Sequence, residues 1–459
     1  MKAIFWMRRD LRFFDNRALA MATKDASEVY PVFIFDENIL NKLPKDDHRV
    51  EFLFNRLQEL KRKHHIHIFY GNPVDLIPKL AQELGDCPVY TNEDYESYAN
   101  ERDIQIEKRI SLKKYLDHII FHGSEIRTGA GKAYKVYTPF KNKWLETLES
   151  QKNRIFEFKV DKKRLSQYDF SAAEISQLDD FGFKKSQIVA SIPTDGEKVL
   201  AGYLDRAHEY SETRDFPALD NTSRLSVHLR FGTVSTRHIC RQVFKLESLP
   251  QAWLNQIIWR DFFYSILQNF PHVEQQEFNP QYQGIGWRED ETNFQAWCRG
   301  ETGFPLIDAG MRELNQTGYM HNRVRMVVAS FLTKNLLLDW RLGERYFAGK
   351  LFDFDLAVNN GSWQWASSTG CDAQPYFRVF NPESQVKRFD PDGEYIKKWV
   401  PELTAVPARY FSNMGKFTEE KQAECGVVIG KDYPAPIVDL KQTRIRAIAH
   451  FKNYSSALS

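Results

Sequence analysis

In the first 125 residues, five short β-rich apolar runs alternate with longer helical patterns. That alternation constrains the fold more than any other feature of the chain. The runs span 3–7, 29–35, 66–70, 88–91 and 118–121. Between the second and third, residues 49–63 (RVEFLFNRLQELKRK) space apolar side chains three and four apart. That is the period of a helix with one buried face. Strand–helix alternation predicts a parallel, doubly wound α/β sheet. No G-x-G-x-x-G follows the first run, so an NAD-type dinucleotide site is not expected there.

A chain of 459 residues exceeds what one core usually organises, so a second domain is expected. The pattern divides into an α/β domain at 1–128, a linker at 129–195 and an all-α domain at 196–459. Within the linker, 129–140 is Gly-rich, then aromatic and basic, and 171–195 mixes acidic, Ser and Pro residues. Helical periodicity follows, clearest at 310–316 and 324–340.

A hydrophobic content of 42% and a charged content of 27% fit a globular protein, not a disordered one. The N-terminal apolar run is too short for a signal-peptide core. No run approaches the ~20 residues that a membrane helix needs, so a cytoplasmic protein is expected. Cys87, Cys240, Cys298, Cys371 and Cys425 are scattered without a C-x-x-C pair and read as reduced thiols. His64, His65 and His67 have no paired Cys or carboxylate ligand and read as a polar helix end running into a strand, not a metal site. Net charge is only +2, so any affinity for DNA must come from a local basic face.

Seven of the ten tryptophans fall within 253–365, which locates the chemistry in the helical half. The densest segment is 353–378 (DFDLAVNNGSWQWASSTGCDAQPYFR), a short way after 319–326 (YMHNRVRM). Trp363 and Trp365 lie beside Asn359, Asn360 and Gly361, which read as a flexible turn. Tryptophan is rarely fully buried and its N–H needs a partner. The pattern suits aromatic planes facing something planar, a flavin or a nucleobase.

Taken with IFWMRRDLR at 4–12, these segments resemble the photolyase/cryptochrome family, specifically class I cyclobutane pyrimidine dimer (CPD) photolyases, along nearly the whole chain. The resemblance implies an α/β antenna domain joined to an all-α FAD-binding domain. It assigns FAD phosphate and ribose contacts to Tyr210 and to Thr222, Ser223, Arg224, Leu225 and Ser226, where hydroxyls and backbone N–H groups enter a helix. Asp353, Asp355 and Asn359 match positions lining the isoalloxazine ring, with Asn359 facing N5 and Arg325 paired to Asp353. A buried arginine there stabilises a reduced flavin that carries negative charge. Trp363, Trp340 and Trp287 match a three-tryptophan electron path from flavin to surface.

The substrate pocket follows from the same resemblance. Trp253, which also belongs with the cofactor contacts, Gln256, Trp259 and Arg260 are expected on one helix face, and Asn322 and Met326 on another. With Trp365 they resemble a cavity for a dimer flipped out of the helix. Asn322 and Met326 stand where (6-4) photolyases show paired histidines, and DASH-type cryptochromes carry a different residue at the position of Met326; both features favour CPD repair. One position departs from the pattern: CPD enzymes usually have glutamate where this chain has Gln256, as (6-4) photolyases do. A neutral hydrogen bond is about half as strong as a charge-assisted one, so weaker repair or an altered lesion range is expected.

Arg214, Arg323 and Arg378 match phosphate-contacting arginines, with Lys141 and Lys143 as additions. Asn100 and Glu101 resemble the folate-contacting pair of some bacterial photolyases, which implies a methenyltetrahydrofolate antenna, with a deazaflavin or an empty pocket as alternatives. The implied activity is light-driven repair: excited FADH− gives an electron to a flipped dimer in UV-damaged DNA, and the ring splits. A monomer is expected. The alternatives are a cryptochrome-like light sensor, disfavoured by the preserved pocket and by the lack of a long C-terminal tail, and a (6-4) photolyase.

Overall fold

A computed structural model describes residues 1–188 and 192–457; linker positions 189–191 lie outside the described residues. The N-terminal region holds a five-stranded sheet in the order β3-β2-β1-β4-β5. The strands are β1 (Lys2–Met7), β2 (Glu28–Asp36), β3 (His67–Gly71), β4 (Val89–Asn92) and β5 (Leu112–Tyr115), and every pairing is parallel. Central register sets Ile4 of β1 against Tyr30 of β2 and Val89 of β4. Strands β1 and β2 are buried nearly throughout, as a covered parallel sheet requires, and the chain passes between the strands through a short helix at Glu37–Leu40 and four longer ones. The longer ones are α1 (Arg17–Asp25), α2 (His48–Lys63), α3 (Pro73–Glu83) and α4 (Ser97–Glu107). Local sequence explains their limits. Asp47 caps α2 by accepting from the Arg49 N–H, and Lys61, Arg62 and Lys63 oppose the negative end of its dipole.

The expected strand at 118–121 does not form. Strand β5 lies at Leu112–Tyr115 instead, a polar edge strand paired only with β4. The apolar run His118–Ile119–Ile120–Phe121 is buried in irregular backbone, and neighbouring side chains satisfy it. The Ile120 N–H donates to Asp261, and the His118 carbonyl accepts from Thr236 and Arg260. A short apolar run reports burial, not strand geometry. The histidines do join the end of α2 to β3. A carboxylate that the sequence pattern concealed, Glu174, lies 2.6 Å from His67 Nδ1.

The linker carries structure of its own: α5 (Tyr137–Ser150) buries Tyr137, Phe140, Trp144 and Leu148. Beyond it come α6 (Gly196–Leu204) and the long α7 (Gln251–Asn269). By contacts the chain forms two compact units. One comprises Met1–His208 and Ser223–Pro271, and the other Glu209–Thr222 and His272–Ser459.

The second unit is helical. Its principal helices are α8 (Pro305–Thr317), α9 (Asn322–Ser330), α10 (Trp340–Lys350), α11 (Leu356–Ser367) and α12 (Leu440–Ala457). Its core includes Trp297, Met311, Val328, Leu332, Trp340 and Trp363. The periodic stretch 324–340 is not one helix. After α9 the backbone widens into a π-helical turn at Phe331–Leu336, Leu337 turns left-handed at φ 58°, and Asp339 caps α10. Apolar spacing is nearly blind to such a turn, because the buried face continues through it. The turn carries Lys334, buried, with Nζ donating to the Ser367 carbonyl at 2.9 Å and to Ser368 Oγ at 2.8 Å. Burial holds its ammonium well below the ordinary lysine range. Residues 359–361 are likewise helical, not a turn: Asp355 caps α11, and Asn360 Nδ2 donates to the Val273 carbonyl.

Candidate functional site

The candidate residues divide between the two units. In the helical unit, Asp353 precedes α11, Asp355 caps it, and Asn359 lies one turn inside; all three are buried. Arg325, on α9, gives one N–H to Asp353 Oδ2 at 2.9 Å and Nε to the Met320 carbonyl at 2.7 Å. Burial opposes its charge, but the Asp353 carboxylate outweighs that and raises its pKa above the usual value. The second carboxylate oxygen, Asp353 Oδ1, is buried without a hydrogen-bond partner. An orphaned buried acceptor is costly unless a ligand supplies the donor. Asn359 donates its Nδ2 to Glu344 Oε1 at 2.8 Å and to the Glu344 carbonyl at 3.2 Å. Burial pushes the Glu344 carboxyl up against the lowering effect of that bond. The expectation named Asn359 but not Glu344, which sits on α10 in a segment without a distinctive motif.

This donor and acceptor set fits a flavin ring. The imide edge of an isoalloxazine offers an N–H of the kind Asp353 Oδ1 lacks, and the Arg325 guanidinium favours negative charge beside it. With Nδ2 committed to Glu344, Asn359 has Oδ1 left as an acceptor.

Trp363, on α11, is buried with its ring centroid 5.0 Å from Phe347 and 6.1 Å from Trp297. Its six-membered ring lies over Gly343, where an added Cβ would come within 2.1 Å of Cη2. Glycine there permits the approach. Trp340, the first residue of α10, shares this core, and Trp287 packs against its edge. Trp340 Nε1 reaches Glu277 Oε1 at 3.4 Å, whereas the buried Trp287 Nε1 has no partner.

Asn322 and Met326 do share a face of α9: Asn322 Nδ2 lies 3.9 Å from Met326 Sδ. Trp365 is half-buried at the rim of the same core. Arg378 is exposed, while Arg323 is held by Asp215 at 2.8 Å and lies over the Phe389 ring. Arg214 is partly exposed, above the ring of Tyr210. Burial raises the Tyr210 hydroxyl to about 12. Thr222 is half-buried at the end of the segment that carries Tyr210 and Arg214.

In the sheet-containing unit, Ser223 and Arg224 lead into a short helix, Ser226–Phe231. Arg224 is left-handed at φ 50° and exposed, Ser223 Oγ accepts from the Leu225 N–H, and Ser226 is exposed. Leu225, the capping residue, is buried and supplies no side-chain acceptor to the helix start. Helix α7 presents Gln256 and Trp259 half-buried. Trp253 is buried, 5.1 Å from the ring of Tyr203. Gln256 Nε2 donates back to the Ala252 carbonyl at 3.3 Å. Trp259 stacks on Tyr137 with centroids 3.7 Å apart and planes 6° from parallel. Tyr137, in the stretch read as linker, therefore backs Trp259, a contact that no motif signalled. Arg260 departs from the expected face. It is buried, donates to the His118 carbonyl and lies over the Tyr264 ring, because a single helical step turns it away from Trp259. Of the remaining basic candidates, Lys141 is half-buried on α5 and Lys143 pairs with Glu146. Asn100 and Glu101 are exposed on α4.

Two family models match the chain: one described as DNA photolyase over residues 3–157, the other as the FAD binding domain of DNA photolyase over 253–453. A deoxyribodipyrimidine photo-lyase from Salmonella typhimurium is 37% identical, with 98% of each chain covered. Among solved structures, a class III photolyase from Agrobacterium tumefaciens is similar at a TM-score of 0.89 and 31% identity, covering 99% of this chain and 98% of its own. A photolyase from Sulfolobus tokodaii, described with two FAD molecules, matches at a TM-score of 0.84 and 35% identity, over 99% and 100%.

Proposed function

The chain belongs to the DNA photolyase family, and from that premise we infer that it is an FAD-dependent, light-driven DNA-repair lyase acting on cyclobutane pyrimidine dimers. The observation that carries the cofactor is the buried, unpartnered Asp353 Oδ1 beside Arg325. Bound in its reduced form, FAD supplies a light-excited electron that opens the cyclobutane ring and is then returned. The chain's own residues do the rest. Asp353, paired with Arg325, would accept a hydrogen bond from the ring edge, Arg325 would balance negative charge there, and Asn359, fixed by Glu344, would offer its amide oxygen to N5. Tyr210, Thr222, Ser223, Arg224, Leu225 and Ser226 hold the phosphates and ribose, with Trp253 against the cofactor.

Trp259, Trp365, Asn322, Met326 and Gln256 receive the extruded dimer. Flipping costs a few kcal/mol, least for a damaged and poorly stacked site. Aromatic contact returns roughly 1–3 kcal/mol per base, so the lesion itself supplies part of the selectivity. Arg214, Arg323 and Arg378 position the phosphates without reading sequence. Arg323 must exchange Asp215 for phosphate to do so. Among the described residues no helix is long and apolar enough to cross a membrane; a cytoplasmic monomer is the finer reading. Residues 1–128 are read as the antenna domain, with methenyltetrahydrofolate at Asn100 and Glu101, and 196–459 as the catalytic domain.

The test is illumination of the reduced protein with oligonucleotides carrying one defined CPD or one (6-4) product. Loss of the CPD alone is expected. Loss of the (6-4) product alone moves the substrate to the alternative that Gln256 permits, and loss of neither favours a light sensor.

A further inference from the structure

We propose that Glu277 is a tuning residue for electron transfer through Trp340, making the hole on the middle tryptophan more stable than the hole on Trp363. The proposal rests on the reading of Trp363, Trp340 and Trp287 as a relay and goes beyond it, because no motif marks Glu277. It stands on geometry in the helical unit. Glu277 is buried and accepts from Trp340 Nε1 at 3.4 Å through Oε1, while Oε2 is bound by Arg341 at 2.8 Å. Arg341 is shared with Asp339, at 3.1 Å and 3.3 Å, and its guanidinium lies 4.9 Å from the Trp340 ring centroid. Two carboxylates and one guanidinium leave one net negative charge around this indole.

Among the described residues, neither of the other two indoles donates its N–H to a carboxylate. Trp363 packs on Phe347, Trp297 and Gly343, and among the described residues no hydrogen bond joins its ring to a carboxylate. Trp287 Nε1 is buried without an acceptor. In a low-dielectric core an anion hydrogen-bonded to an indole N–H stabilises the oxidised ring far more than the neutral one. A hole formed on Trp363 therefore moves downhill to Trp340 and is less prone to return.

Under light, Trp363 gives one electron to the bound oxidised flavin, Trp340 gives one to Trp363, Trp287 gives one to Trp340, and a thiol in solution refills Trp287. The Nε1 proton of Trp340 stays on the ring, because the Glu277 carboxylate already accepts N–H groups from both Trp340 and Arg341. The N–H···O− bond tightens while the hole is present. A carboxylate that took the proton would trap a neutral radical and stall the relay.

Three variants and a flash experiment decide it. Protein with oxidised flavin is flashed with thiol present, the tryptophan-radical absorbance is followed, and flavin content per chain serves as the control for folding. Trp340→Phe should abolish the long-lived radical. If it leaves the radical yield untouched, the relay reading itself fails, whatever Glu277 does. With that established, Glu277→Gln keeps a hydrogen-bond acceptor but removes the charge, and should lower the yield of long-lived radical about tenfold, the loss of a charge-assisted bond's extra strength. Glu277→Asp keeps the charge and should recover most of the parent yield. Equal yields in parent and Glu277→Gln overturn the proposal, as does a Glu277→Asp variant as impaired as Glu277→Gln. Should Glu277→Gln fail to retain flavin, the Glu277→Asp yield decides alone: parent-like supports the charge, and loss at normal flavin content contradicts it.

Discussion

Position 256 shows how one atom pair bears on the chemistry. Gln256 spends one Nε2 hydrogen on the Ala252 carbonyl of its own helix, which leaves its other N–H and one neutral amide oxygen to meet a base edge. A carboxylate at this position cannot make that local bond and offers two charged acceptors. The trade favours the carboxylate, since bonds to ionised groups contribute roughly 1 kcal/mol more than neutral ones. Gln256→Glu is therefore expected to tighten binding to a CPD oligonucleotide about fivefold, as measured by anisotropy in the dark, and to raise the repair yield per photon. If neither quantity changes, Gln256 is not in contact with the lesion. Asp353 is the complementary case: its orphaned oxygen is visible only in coordinates, because the sequence shows a carboxylate but not which lone pairs are taken.

Among the elements, what the sequence revealed followed from what produces periodicity. Helix α8 and strands β1 to β4 appear where apolar spacing placed them, since each buries a regular stripe or face. Strand β5 was missed because an edge strand of sequence LKKY buries little, while the HIIF run that imitates a strand is held by Asp261, Thr236 and Arg260. The π-helical turn before Trp340 was missed for the opposite reason: the apolar stripe runs through it unbroken. Asn359 to Gly361 carry turn-forming residues, yet the Asp355 cap and the bonds to Glu344 and Val273 keep them in α11. Tertiary partners override local propensity at such points. The same holds for the site. Motif residues pointed to the proposed flavin edge and tryptophan path, but the partners that the fold brings to them, Glu344, Glu277, Gly343 and Tyr137, carry no pattern.

At the scale of the molecule, acid tolerance depends on histidines that fold uncharged. Burial, aided by Arg9, pushes His118 down to about 3, and burial, aided by Arg56, pushes His228 down to about 4. Both are lowered relative to the unfolded chain, which takes up protons below about pH 6.5 that the folded protein refuses. Stability is therefore full above that pH and falls as acid is added, by roughly 2 kcal/mol for each histidine at pH 5. Asp261 acts in the other sense. Burial raises its carboxyl to about 6, so the folded state gains a proton first and recovers about 1 kcal/mol over the same interval. Denaturant unfolding at pH 7 and pH 5, at saturating FAD, should show lower stability at pH 5; equal or greater stability at pH 5 contradicts this assignment. The same molecule-wide account makes light the co-substrate of repair. An action spectrum on a CPD oligonucleotide, taken with the reduced protein and a dark control, tests that claim most directly. Dimer loss should follow the near-UV and blue absorption of the bound reduced flavin, with no loss in the dark. Dimer loss in the dark, or a wavelength dependence unrelated to the flavin, would contradict it.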